Sequence, residues 1–343
     1  MRIVRWDASD PAATAACHEV TAAAGVADDP LGPPVTARRM SSWFEHPAEP
    51  AEIWYVPGAT AGGVQGWYRL ELPGQENRDR GGLRLQVHPS GRRRGIGTAL
   101  LGHAASRAAL DGRSILGSMV LQGSAGEAFA RHWEATPGLV DARRVQVLAS
   151  IPAGQVALLR ERSARAAAGY SLVSWYGRTP DEHLSGFAEV LNAANDMPRD
   201  AGEEEEIWDA QRVREQIDDV RELRGRHIYT VAALHDATGE MAALTDVETD
   251  PETPGWGLQL LTAVVRKHRG HRLGLLVKTA MLDWLAVAEP NLERIMTGNA
   301  ATNRYMIAIN EALGYELLSP MGQHYELAVA DVLHSPRGDG SPA

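Results

Sequence analysis

Lysine is almost missing from this chain. Lys267 and Lys278 are the only two, and arginine supplies the rest of the 34 positive charges. Arginine keeps its charge throughout the neutral range and offers a planar fork that suits carboxylates and phosphates. Cysteine is as scarce. Cys17 stands alone, which excludes an intramolecular disulfide and fits a reducing, cytoplasmic setting. Its Ala-rich surroundings make it a small buried hydrophobe. No apolar run reaches the ~18 residues that a membrane span needs. The opening MRIVRWDASDPAA carries charges where a secretory leader would have its apolar core. A surplus of positive charge is also lacking. The formal net charge is −10, which argues against nucleic acid as a partner and weakly favours a cationic small molecule.

What is present fits globular structure. The 343 residues are 44% hydrophobic and 23% charged, and that length suits two domains of ~150 residues. One order of elements recurs: a strand, helices, three strands, a basic glycine-containing loop, a helix, and further strands and a helix. A repeat of this size implies two similar domains. The expected fold class is therefore α/β, with two mixed and mostly antiparallel sheets flanked by helices. The expected boundaries are 1–150 for the first domain, 151–168 for a bridging helix, 169–332 for the second domain and 333–343 for a flexible tail. Gly58–Gly63 reads as a turn between two strands. Thr179 reads as an N-cap, with Pro180 in the first turn of a helix over 181–194. Arg144–Ala149 reads as the strand that closes the first domain.

The two basic loops carry the chemistry. In the first, a strand ending at Val87 runs through Arg92, Arg93, Arg94, Gly95, Ile96, Gly97 and Thr98 into a helix. A helix N-terminus presents unpaired N–H groups and a partial positive charge, a setting that suits phosphate or pyrophosphate. Glycines let the backbone approach such a group closely. The second loop follows Val264 and Val265 and reads Arg269, Gly270, His271, Arg272, Leu273, Gly274 and Leu275. Aligning Gly97 with Gly274 places Arg92 over Arg269 and Val87 over Val264. His268 and His271 lack the further histidines or cysteines that a metal site needs, so no metal is expected.

Both loops resemble motif A of the GNAT N-acetyltransferase superfamily, R/Q-x-x-G-x-G/A. The first matches in full; in the second, Arg272 replaces the first glycine. The segment from Asn299 through Asn303, Asn310 and Glu311 to Gly314 and Tyr315 resembles the family's next motif, with Asn310 where tyrosine is usual. The tandem architecture is similar to that of mycothiol synthase.

The resemblance implies an N-acetyltransferase that moves an acetyl group from acetyl-CoA to a small-molecule amine, as a monomer or homodimer. It implies acetyl-CoA contacts at both loops and at Asn299 and Asn303, and an oxyanion donor near Val87 or Val264. Asp246 and Glu248 alternate on one strand and so share a face, which makes them candidate bases for the amine proton. Glu71 is the rough counterpart in the first half. Asn310 is the candidate partner of the departing sulfur. A different reading also fits: a CoA-binding regulatory or scaffold protein with one or both domains catalytically silent.

Overall fold

The computed structural model describes residues 1–58 and 63–335. The turn expected at Gly58–Gly63 and most of the tail expected at 333–343 therefore lie outside the described residues. The described chain forms two compact units, each built on a seven-stranded sheet.

The first unit comprises Met1–Asp141, Asp200–Glu204 and the segment from Ser319 onward. Its elements are β1 (Val4–Arg5), α1 (Pro11–Asp28), α2 (Ala37–Glu45), β2 (Ala51–Pro57), β3 (Val64–Glu71), β4 (Arg80–Val87), α3 (Ile96–Leu110), β5 (Ile115–Leu121), α4 (Ala125–His132) and β6 (Thr136–Asp141). Two late elements complete it, β14 (Gly322–Ala328) and α11 (Val329–Leu333). The strand order is β1-β2-β3-β4-β5-β14-β6, and only the β4–β5 pair is parallel. Strand alternation sorts β3 onto two faces. Trp67 joins Cys17, Val20, Met40 and Phe44 under α1 and α2. Tyr68 and Leu70 join Ile96, Leu100 and Ala104 under α3. Helix α1 starts cleanly because Asp10 accepts from the Ala13 N–H at 2.9 Å and Pro11 needs no donor partner.

The second unit comprises Ala142–Arg199 and Glu205–Leu318. It holds β7 (Arg144–Val147), α5 (Gln155–Ala166), β8 (Tyr170–Tyr176), α6 (Leu184–Ala193), α7 (Ala210–Arg212), α8 (Asp219–Leu223), β9 (His227–His235), β10 (Met241–Thr249), β11 (Trp256–Val264), α9 (Leu273–Ala288), β12 (Arg294–Thr297), α10 (Arg304–Ala312) and β13 (Tyr315–Leu317). The order is β13-β7-β12-β11-β10-β9-β8, and β11–β12 is the parallel pair. Helices α5 and α9 cover one face and α6 the other.

The units depart from the expected 1–150 and 169–332 in three places. The strand at Arg144–Val147 does not close the first sheet; it lies between β12 and β13 of the second. Strand β14, expected in the second domain, lies between β5 and β6 of the first. Each sheet offers an antiparallel edge of the same kind at that place, so a short alternating strand carries no mark of its destination. The helix expected to bridge, 151–168, packs within the second unit, where Leu159 meets the core cluster and Ser163 is buried. Thr179 caps nothing. Its N–H and hydroxyl both go to Asp218, at 3.2 and 3.0 Å, and a 3₁₀ turn at Asp181–His183 precedes α6.

Candidate active site

Both sheets part at their parallel pair. Strand β4 pairs with β5 only over Arg80–Gly82, and β11 pairs with β12 only over Trp256–Leu258. Beyond those residues Leu83–Val87 and Gln259–Val264 keep one antiparallel neighbour each. One backbone edge is thus left open inside the sheet, running toward the basic loop. Such an edge offers hydrogen-bonding groups to an extended, amide-bearing chain.

In the first loop, Gly95 is the residue before α3 and has φ 78°. A Cβ placed on it would meet nothing within 4 Å, so only backbone conformation demands glycine there. Arg93 and Arg94 are exposed, and neither has an ion pair among the described residues. Ile96 is buried in the core and can offer only its backbone. Gly97 serves packing: a Cβ there would lie 3.4 Å from Phe129 and 3.8 Å from Val87. Thr98 follows in the first helical turn, whose N–H groups have no intrahelical acceptors. Arg92 is spoken for. Its guanidinium grips the Asp28 carboxylate at 3.0 and 2.5 Å, and Nε reaches the Val87 carbonyl at 3.4 Å.

The second loop repeats this brace. Arg269 donates from Nε to the Val264 carbonyl at 3.2 Å and from Nη2 to Asp196 at 2.7 Å. Gly270 has φ 93°. Arg272 stands directly before α9 with φ 56°, the left-handed conformation that Gly95 holds in the first loop. Leu273 and Leu275 are buried. Gly274 fits tightly, since a Cβ there would lie 3.3 Å from Ile309 and 3.7 Å from Val264. Val265 packs toward the α6 side. His271 lies against the Tyr170 ring at 5.3 Å, while His268 is buried with Nδ1 3.0 Å from the Tyr170 hydroxyl.

The expected bases sit deeper than their spacing implied. Asp246 has no exposed surface. One carboxylate oxygen accepts from Arg221 at 2.6 Å, and the other has no hydrogen-bond partner. Burial holds this carboxyl above its ordinary pKa, with Arg221 acting against that rise. Glu248 keeps 15% of its side chain exposed and lies 3.7 Å from Arg226, which also pairs with Asp250. In the first unit Glu71 is paired with Arg69.

Asn310 is also fully buried. It accepts from Lys278 Nζ at 2.8 Å and donates to Asn299 Oδ1 at 2.8 Å. Asn303 caps α10, accepting from the Met306 N–H at 3.2 Å. Burial pushes the Lys278 ammonium down to about 7, and the Tyr315 ring centre lies 4.8 Å from it. In the sequence Lys278 stood out only for the scarcity of lysine, although its place in the apolar run of α9 was a readable signal. Of the acidic run at 203–206, Glu204 exchanges hydrogen bonds with Asn77, at 2.6 and 2.8 Å.

No protein-family model and no curated protein matches the chain. Solved structures do match. A tandem GNAT protein from the clavulanic acid biosynthesis pathway is 30% identical, with a TM-score of 0.78, over 96% of this chain and 98% of that one. The GCN5-related N-acetyltransferase from Sphaerobacter thermophilus shares the fold at 13% identity and a TM-score of 0.64, over 96% of this chain and 95% of that one. The glucosamine N-acetyltransferase region of a fungal multi-domain β-N-acetylglucosaminidase shares it at 12% identity and 0.64, over 95% of this chain and 38% of that one. The repeated splayed sheet, the repeated basic loop and this relationship along nearly the whole chain lead to one conclusion: the protein belongs to the GNAT acyltransferase superfamily, in its tandem form.

Proposed function

We propose that the protein transfers an acetyl group from acetyl-CoA to the amine of a small molecule. One observation carries the reading. In the first unit an open strand edge, Leu83–Val87, leads into a left-handed glycine and a helix N-terminus flanked by two arginines without an ion pair among the described residues. The N–H groups of that terminus and the charges of Arg93 and Arg94 suit the phosphates of an acyl-CoA. The strand edge suits its amide-bearing arm and offers N–H groups to the oxyanion.

The neutral amine nitrogen attacks the thioester carbonyl carbon. A C–N bond forms, the C–S bond breaks, and the sulfur leaves with the electron pair. The amine's surplus proton passes to a base or to water. If the second unit turns over, Glu248 is the better placed of its two carboxylates, because Asp246 has no exposed surface.

One observation favours binding without turnover in the second unit. Asn310, at the position usually held by tyrosine, is buried and engaged by Lys278 and Asn299. An amide supplies no proton to sulfur at neutral pH.

The test is free-thiol release from acetyl-CoA with a panel of amines. Amine-dependent release by the wild type and by Asn310→Ala, with loss in Gly95→Trp, supports transfer in the first unit. Acetyl-CoA binding without release for any amine supports the binding-only alternative.

A further inference from the structure

We propose that the first unit binds an anionic group, a carboxylate or a phosphate, on the face of its sheet covered by α1 and α2. Arg69 on β3 and Arg84 on β4 are direct cross-strand partners. Like charges placed so oppose each other and destabilise a sheet unless something offsets them. Trp43 of α2 offsets part of this: its ring centre lies 4.3 Å from the Arg69 guanidinium and 5.1 Å from that of Arg84. Glu71 is ion-paired with Arg69. Arg84 has no hydrogen bond and no ion pair among the described residues, and its side chain keeps exposed surface. Although part of the side chain is exposed, desolvation among its packed neighbours, the larger effect, and the nearby charge of Arg39 both act against its positive charge.

Two guanidiniums thus share one indole, and the charge of Arg39 acts on one of them, in a chain whose net charge is −10. An arginine in that position gains most from a bidentate anion. Two residues along the same face of β4, the Gln86 side-chain oxygen is buried without a hydrogen-bond partner. It is an acceptor suited to an N–H donor. Together they fit a ligand that carries an anionic group beside a nitrogen, which differs from the purely cationic amine suggested by the overall charge.

The ligand's role as acyl acceptor rests on the function proposed above, but anion binding itself does not. The experiment is therefore run without acyl donor. Glutarate and inorganic phosphate are titrated calorimetrically, at low ionic strength, into the full-length wild type, Arg84→Gln, Glu71→Gln and Arg160→Gln. The expected result is saturable binding of at least one of the two anions. Arg84→Gln weakens it roughly tenfold or more, the scale of a lost charge-assisted contact. Glu71→Gln tightens it by removing a competing carboxylate, while Arg160→Gln, on the surface of the second unit, leaves it unchanged. A partly unfolded variant would lose affinity in every case, so the opposite signs at Arg84 and Glu71 separate the site from misfolding. Preference for glutarate assigns a carboxylate, and preference for phosphate a phosphate; both support the site. Absence of saturable binding, equal affinity of wild type and Arg84→Gln, or weakening by Glu71→Gln overturns it.

Discussion

Arg69 and Asp246 occupy the same place in the two units with opposite charge. Gly66 pairs with Val87 and Ala243 with Val264, at the last residues of the two loop strands. Arg69 and Asp246 each lie three residues further along. Each is almost wholly buried and ion-paired, Arg69 with Glu71 and Asp246 with Arg221. The shared fold thus buries a basic residue at this place in one unit and an acidic residue in the other.

Asp246 makes this testable by pH. Its pKa is raised in the folded state. Its contribution to stability is therefore fully present below the ordinary carboxyl value, ~3.9, and is lost as pH rises through the higher folded value. Asp246→Asn, which mimics the protonated acid, should gain on the wild type in urea unfolding between pH 4 and pH 7. Asp246→Ala, which strands Arg221, should lose about 3 kcal/mol at pH 7.

Lys278 predicts the opposite slope. Its folded pKa lies near 7, below the ordinary 10.5. Its contribution is present above the unfolded value and is lost as pH falls through the folded one. The wild type should lose on the order of a few kcal/mol from this group between about pH 10 and pH 7. Lys278→Met should flatten that slope, as read by urea unfolding across the range.

Gly95 and Arg272 hold the same left-handed conformation before their helices. L side chains strain there by roughly 1–2 kcal/mol. Gly95→Ala should lower stability by ~1 kcal/mol, because the site is spacious and only the backbone objects. Arg272→Gly should raise it or leave it level, the strain released being partly offset by the unfolded-state entropy of glycine. Thermal unfolding of both variants checks the signs.

Arg92–Asp28 and Arg269–Asp196 brace the two loops. Arg92→Ala and Asp28→Ala should each cost about 1 kcal/mol, and the double variant should cost less than the two together, because the same ion pair is lost in all three. Asp28→Ala should also weaken acetyl-CoA binding several-fold by loosening the loop.

Glycine spacing, basic loops and strand alternation made the fold class and the repeated loops readable, because those features act over a few residues. The destinations of Arg144–Val147 and Gly322–Ala328 were unreadable, because pairing depends on which edge is open in three dimensions. Spacing showed that Asp246 and Glu248 share a face. It carried no sign that Arg221 and Arg226 would meet them from outside the strand. The pairing of Arg84 with Trp43 was unreadable for the same reason: 41 residues separate them in sequence, and only the fold brings them to 5.1 Å.

The account turns on acyl-CoA binding at the first loop, and calorimetric titration of acetyl-CoA measures it directly. Wild type should bind, Gly95→Trp should lose the first-unit site, and Gly274→Trp should leave that site intact. Unchanged binding in Gly95→Trp, or no binding by the wild type, would contradict it.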